Sequence, residues 1–264
     1  MKILLIAGHG GSPYDSGAVG CGYTEPDETR RMATAVAPLL RAYGFNVTMY
    51  DQNNDAYKIL RNGGSLPLSG INYVLEIHLN AGASDENGNG TTTGTEVLVH
   101  SAESGVTVEQ AICRRIAALG FKNRGVKRRS DLLVMNTVHR KGISHALVET
   151  CFIDDADDMQ LYKEKFFEIA HAIADGIAEG FGKVVDDMTE AQVKNIATQV
   201  ANDVVSKSRE LYETIDEVPD WARPTVEKLV KKGFITGTGD GRLSLTYDLM
   251  RLLVINDRAG VYGE

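Results

Sequence analysis

The chain opens on an apolar run, residues 3–7, that leads directly into Gly8-His9-Gly10-Gly11. A short apolar run closed by glycine predicts a buried strand that delivers one histidine to its C-terminal rim. A Gly-rich loop over 10–22 follows, and Met32, Ala33, Val36, Leu39 and Leu40 then recur at helical spacing until Gly44. Strands are predicted over 45–50 and 72–79, the second with a near-continuous Tyr73-Val74-Leu75-Glu76-Ile77 core ending at His78. The stretch 82–94 is rich in Gly, Asn, Ser and Thr, carries no apolar pattern, and predicts a mobile surface loop. A strand over 95–100 resumes the order. Val106, Ile112, Ile116 and Leu119 mark a helix that stops at Gly120, and short strands are predicted over 132–135 and 146–152. Phe166, Phe167, Ala170, Ile173, Ala174 and Ile177 share one helical face. Strands alternating with helices over 1–182 predict an α/β fold, a mostly parallel sheet flanked by helices.

The pattern changes beyond Gly182. Residues 189–215 hold neither Gly nor Pro and repeat Val193, Ile196, Val200 and Val204, which predicts a long amphipathic helix in need of a partner surface. Pro219, Trp221, a helix to Lys232, Gly-rich turns at 237–241 and a second helix from about Thr246 then read as a small, mainly helical module. The expected organisation is thus a domain over 1–182, a helical connector over 183–216 and a C-terminal module over 217–264. A module of that size needs a neighbour to pack against.

Composition narrows the partners. A net charge of −8 over 264 residues argues against nucleic acid, since phosphate binding needs a basic face. Lys122, Arg124, Lys127, Arg128 and Arg129 form a local basic exception that reads as a solvated loop. Cys21, Cys113 and Cys151 are odd in number and widely spaced, which suits reduced thiols and neither a disulfide framework nor a Cys-rich zinc knuckle. No run approaches the ~20 apolar residues of a membrane span, so no membrane insertion is expected. The opening apolar run is too short for a signal-peptide core, which predicts synthesis in the cytoplasm without an export signal.

Open parallel sheets bind ligands beyond the carboxyl ends of their strands. His9, His78 and Glu149 end or nearly end three predicted strands, and Glu25 sits where the Gly-rich loop enters the first helix. Two imidazoles and a carboxylate form the ligand set of a catalytic zinc, and one more carboxylate can serve as general base. Each residue also has a structural reading: a strand-end histidine satisfied by a hydrogen bond, or a first-turn glutamate favoured by the helix dipole. Glu149 is harder to explain structurally, because a charge inside an apolar strand is costly unless paired or functional. His100, His139, His145 and His171 have weaker contexts.

Spacing alone does not join these four residues, but a resemblance does. Ala7-Gly8-His9-Gly10-Gly11, Ser16-Gly17-Ala18-Val19-Gly20, Gly22-Tyr23-Thr24-Glu25, Glu76-Ile77-His78-Leu79-Asn80-Ala81, Gly94-Thr95-Glu96-Val97 and Leu147-Val148-Glu149-Thr150-Cys151-Phe152-Ile153 occur in this order. Over about 1–180 the chain resembles the zinc-dependent N-acetylmuramoyl-L-alanine amidases, a family of bacterial cell-wall amidases and phage endolysins. The resemblance implies the amidase fold, one zinc per chain held by His9, Glu25 and His78, and Glu149 as the catalytic carboxylate. Glu28 competes with Glu25, which is preferred because it follows the Gly-x-x pattern directly; Thr29 stands where the family carries Asn. The implied reaction is hydrolysis of the amide between N-acetylmuramic acid and L-alanine of the peptidoglycan stem peptide, with 82–94 bordering the cleft.

Trp221, Lys232-Gly233-Phe234-Ile235, Gly237-Thr238-Gly239-Asp240-Gly241, Leu245-Thr246 and Arg251 resemble part of one S-layer-homology-like repeat. That resemblance implies binding to secondary wall polymers with Trp221 stacked on sugar; the alternative is that Trp221 anchors a small core. The connector helix or this module offers a route to a homodimer. The leading expectation is a phage or prophage endolysin acting at the cell wall after release. The alternatives are another zinc-dependent amide hydrolase, such as a carboxypeptidase-like enzyme, and a non-catalytic cell-wall-binding protein.

Overall fold

In the computed structural model, which describes residues 1–10, 15–185, 211–238 and 242–263, the opening apolar run is strand β1 (Lys2–Ala7). Its side chains alternate between two cores: Ile3 and Leu5 enter one, Leu4 and Ile6 the other. A strand apolar on both faces requires cover on both, which is the logic of an α/β sheet. Six strands form that sheet in the order β4 (Asn46–Met49), β1, β5 (Tyr73–Asn80), β8 (Ser144–Phe152), β6 (Thr95–His100), β7 (Asn123–Arg129). Its pairings are parallel except β6 against β8. A separate two-stranded ribbon pairs β2 (Val19–Gly20) with β3 (Tyr23–Thr24).

Helices α1 (Glu25–Ala42), α3 (Thr107–Ala117) and α6 (Phe166–Gly180) cover one face, burying Met32, Val36, Leu39, Ile112, Ile116, Ile169 and Ile173 against Ile3, Leu75 and Val148. The opposite face packs Leu4, Ile6 and Val74 against Ala56 of α2 (Ala56–Arg61) and against Val134 and Val138 of α4 (Leu133–His139). Helix α5 (Ala156–Glu164) follows β8, capped by Asp155, which accepts from the backbone N–H of Asp158 at 3.0 Å. Cys21, Cys113 and Cys151 are unpaired thiols.

Three expectations change. Residues 132–135 belong to the start of α4 and not to a strand: Val134, Met135 and Val138 are its buried face, a 3–4 spacing that a four-residue window cannot show. The basic stretch is not a loop but β7, an edge strand, where Lys127, Arg128 and Arg129 stay partly or fully exposed beside β6; charged side chains are a usual protection for such an edge. The stretch 82–94 is tethered rather than loose. Asp154 accepts from the backbone N–H groups of Gly82, Ala83 and Ser84 at 2.9, 3.2 and 2.9 Å. Asp157 accepts from Asn89 and Gly90 at 2.8 Å, and Asp155 from Thr93 at 2.9 Å.

The described residues divide into two units, Met1–Ala197 and Thr198–Glu264. In the second, the turn Ile215–Glu217 precedes α7 (Arg223–Lys231) and α8 (Tyr247–Arg258), which enclose Val218, Ala222, Val226, Leu245, Met250 and Val254. Trp221 stays 40% exposed, edge-on to exposed Tyr247 at 5.4 Å, so it does not anchor this core. The expected connector helix lies outside the described residues up to 210. Its last part, 211–215, is not α-helical, because Tyr212 pairs with Leu245 as an isolated bridge. Gly239, Asp240 and Gly241 also lie outside the described residues. Among the described residues no helix is long and apolar enough to cross a membrane.

Candidate active site

The carboxyl ends of β1, β5 and β8 deliver the candidate residues. His9 leaves β1 with φ +60°, a left-handed backbone that a non-glycine residue adopts only when its surroundings impose it. Those surroundings are visible. Arg30 donates from Nη2 to the His9 carbonyl at 2.9 Å, and Thr29 donates its hydroxyl to the Gly8 carbonyl at 2.8 Å. The flanking glycines are steric requirements: a β-carbon on Gly8 would lie 2.3 Å from the His78 ring, and one on Gly10 would lie 2.7 Å from Asp55 Cβ.

Glu25, the first residue of α1, is 3% exposed and gathers donors from all sides. Its Oε2 accepts from the backbone N–H of Ala18 at 2.9 Å and lies 3.1 Å from His9 Nε2. Its Oε1 accepts from the Leu79 N–H at 3.1 Å and lies 2.9 Å from His78 Nδ1. His9, Glu25 and His78 therefore present one potential ligand atom each, all within 4.8 Å of one another. Glu28 is excluded from this group, because Arg31 Nη1 holds both of its carboxylate oxygens at 2.7 Å. Burial opposes charge on all three groups, yet the hydrogen bonds to Glu25 outweigh it and hold both imidazoles above their ordinary value. The same contacts hold Glu25 well below the usual carboxylate range. A site that attracts protons to two nitrogens around a carboxylate suits a divalent cation equally well, since cation and protons compete for the same lone pairs.

Glu149 stands on β8 as the register partner of His78 on one side and of Glu96 on the other. Its Oε2 is enclosed without a hydrogen-bond partner among the described residues. That enclosure pushes its carboxyl up to about 7; the Glu25 and Glu96 charges also raise it, against the opposing pull of His78 and His9. A carboxyl poised there exchanges protons in both directions near neutral pH. A cavity of about 260 Å³ opens beside His9 and His78, with Leu132, Leu133 and Tyr57 on its apolar wall and Asp15, Asp55 and Asp131 as acidic groups.

Residues 3–179 match the N-acetylmuramoyl-L-alanine amidase family. The chain belongs to this family. It is 31% identical over 216 residues to the probable autolysin PH of Staphylococcus aureus, covering 76% of this chain and 42% of that protein. It is 30% identical over 176 residues to the N-acetylmuramoyl-L-alanine amidase LytC of Bacillus subtilis, covering 66% of this chain and 34% of that one. The chain thus spans less than half the length of these two relatives. Among solved structures, it resembles the catalytic domain of the CD27L endolysin targeting Clostridia Difficile, with a TM-score of 0.56 and 27% identity over 70% of this chain and 99% of that domain.

Around the four expected residues this amidase-family chain places others that sequence reasoning did not single out. Asp15 Oδ2 lies 3.0 Å from His9 Nδ1, and Glu76 Oε1 lies 3.3 Å from His78 Nε2. Glu96 accepts from Asn80 Nδ2 at 3.0 Å and from Arg124 Nε at 2.7 Å, and Arg124 lies over the Phe152 ring at 4.8 Å. Glu76 carried a readable signal, since it is an ionisable residue inside an apolar strand, the same argument that singles out Glu149. Glu96 carried the same signal inside the apolar run 95–99; Asp15 and Arg124 carried none as site residues, since Asp15 lies in a Gly-rich loop and the partners of Arg124 are distant in sequence. Of the remaining histidines, His100 and His139 stack on each other at 3.7 Å, away from this group.

Proposed function

We propose that this chain hydrolyses the amide between N-acetylmuramic acid and L-alanine of peptidoglycan, with His9, Glu25 and His78 holding one zinc ion and Glu149 moving the protons. The observation that carries this reading is the convergence of one potential ligand atom each from His9, Glu25 and His78 within 4.8 Å, with His9 Nε2 and His78 Nδ1 flanking the Glu25 carboxylate at 3.1 and 2.9 Å and Glu149 in register beside His78. Two imidazoles and one carboxylate are the donor set of a catalytic zinc with an open position. Zinc in such a set supplies Lewis acidity toward a carbonyl oxygen and brings the pKa of water toward ~7.

The chain's own residues do the rest. His9 and His78 offer neutral nitrogens once their protons are displaced, and the Ala18 and Leu79 N–H groups fix the Glu25 carboxylate between them. Glu149, with its carboxyl near about 7, takes a proton from the attacking water at the enclosed Oε2 and returns it to the departing L-alanine amine. The apolar wall of Leu132 and Leu133 keeps water away from one side of the cleft.

The likeness to an endolysin catalytic domain supports a lytic role in a phage or prophage, and the exposed Trp221–Tyr247 pair supports a wall-polymer site in the C-terminal unit. Zinc content together with product analysis on purified cell walls tests the chemistry: new L-alanine amino termini support the amidase, and new reducing sugar ends overturn it. For the second role, full-length Glu149→Gln is sedimented with walls with and without Trp221→Ala. Undiminished co-sedimentation of the double variant removes Trp221 from wall binding.

A further inference from the structure

Glu76 lies two residues before His78 in β5, so both side chains leave the same face of the strand. It is 5% exposed, and its two carboxylate oxygens are divided between two histidines. Oε2 lies 2.9 Å from Nε2 of His145, itself 2% exposed on the neighbouring strand β8. Oε1 lies 3.3 Å from Nε2 of His78, within ion-pair range and outside hydrogen-bond geometry. His78 therefore turns its two ring nitrogens to two different carboxylates, Nδ1 to Glu25 and Nε2 to Glu76, while Gly8 closes off the ring. Packing alone does not account for this. A buried carboxylate is costly to remove from water, and apolar replacements for buried ion pairs are often neutral or stabilising.

We propose that Glu76 is a positioning residue for His78 and that His145 anchors Glu76, so that the three form a buried clamp presenting Nδ1 of His78 to the metal. This rests on the zinc reading above and adds the residues that aim one of its ligands. Once the proton that Nδ1 shares with Glu25 is displaced by a metal, the carboxylate charge beside Nε2 favours the remaining proton on that nitrogen, leaves the Nδ1 lone pair for the metal, and makes the ring a better donor. His145 donates its own Nε2–H to Oε2, which leaves Oε1 turned toward His78. Without His145 the carboxylate is free to rotate; without Glu76 the ring loses the group that selects its tautomer.

The test measures zinc affinity of the full chain by competition with a chromophoric chelator, and follows the His78 ring nitrogens by nitrogen-15 NMR before and after zinc. Glu76→Ala is expected to weaken zinc by roughly 10–100-fold, and Glu76→Gln, which keeps a neutral acceptor, by less. The zinc-loaded wild-type chain is expected to show the His78 proton on Nε2. Because His145 acts through Glu76, Glu76→Ala/His145→Leu is expected to bind zinc no more weakly than Glu76→Ala. A Glu76→Ala affinity within about twofold of wild type overturns the clamp, as does a double variant in which the two losses add. Should Glu76→Ala fail to fold, the double variant, which removes both polar partners, is compared directly with wild type under the same criteria. If the wild-type chain binds no zinc, the metal reading and the clamp fall together. If it binds zinc and releases amines from walls while the Glu76 variants bind zinc as tightly, the clamp alone falls.

Discussion

His78 and Glu149 are register partners on adjacent parallel strands, so the sheet itself sets the proposed zinc ligand and the proposed proton carrier side by side. Their roles separate by substitution. Glu149→Gln is expected to retain one zinc per chain while turnover on purified walls falls by roughly 10²–10⁴-fold. His78→Ala is expected to lose both metal and turnover. Chelation and re-addition of zinc checks the pair: wild type recovers, Glu149→Gln regains metal without turnover, and His78→Ala regains neither.

Gly8 gives a second, purely steric prediction. A β-carbon there would lie 2.3 Å from His78 Cε1 and 2.4 Å from Nε2, and real β-carbons do not approach so closely. Either the ring or the β1 end must move. Gly8→Ala is expected to cost about 1–3 kcal/mol in thermal or denaturant unfolding, as overpacked sites do. It is also expected to weaken zinc binding at least as much as Glu76→Ala, because the displaced ring is the proposed ligand. Normal zinc affinity in Gly8→Ala would show that the ring has room the structure denies it.

How much of this is legible in the sequence depends on the range of the interaction. Strands β1, β5, β6 and β8 and helices α1, α3 and α6 carry long, consistent periods and read directly. Helix α4 does not, since Leu132, Leu133, Val134 and Met135 look like a strand until Val138 reveals the helical spacing. Strand β7 hides because an edge strand keeps its charges in water. At the site, Glu25 and Glu28 are one helical turn apart, and the sequence favours Glu25 only through the Gly-x-x pattern that precedes it. Arg31 decides between them by binding Glu28. His145 is invisible as a site residue for a different reason: its partner Glu76 is 69 positions away, joined to it only by strand pairing. The tethered loop is a mixed case. Asp154, Asp155, Asp157 and Asp158 are plain in the sequence, but which N–H groups they bind is a tertiary fact.

Away from the site, Tyr73 and Glu109 make a buried pair whose stability depends on pH. The Tyr73 hydroxyl donates to Glu109 Oε1 at 2.7 Å, yet burial still holds the Glu109 carboxyl above its ordinary value of 4.5. A folded-state value above the unfolded one means that this carboxyl contributes stability below 4.5 that is lost as pH rises through the folded value. Tyr73→Phe removes the donor that eases the carboxylate's burial. Its cost is expected to be about 1–3 kcal/mol near pH 7 and smaller near pH 4, where Glu109 is protonated in both states. Urea unfolding of the two chains at both pH values checks this, and an equal cost at each would remove the carboxylate from the account.

Asp154 makes the opposite case, and it tethers the start of the loop over 82–94. Burial works against its charge, but the backbone N–H groups of Ser84, Gly82 and Ala83 outweigh it and hold the carboxyl below its ordinary value of 3.8. Here the folded-state value is depressed, so the tether is fully present above 3.8 and is lost as pH falls through the folded value. Asp154→Ala removes the acceptor at every pH. Hydrogen exchange at the amides of Gly82, Ala83 and Ser84 is therefore expected to accelerate in Asp154→Ala at neutral pH, while Asn89 and Gly90, bound instead to Asp157, keep their protection. If the loop takes no part in substrate binding, hydrolysis of walls stays within about twofold of wild type; if its conformation holds substrate, KM rises with little change in kcat, the pattern of lost uniform binding. Uniform acceleration across 82–94 would instead mean that the aspartates act as one cooperative unit and not as separate tethers.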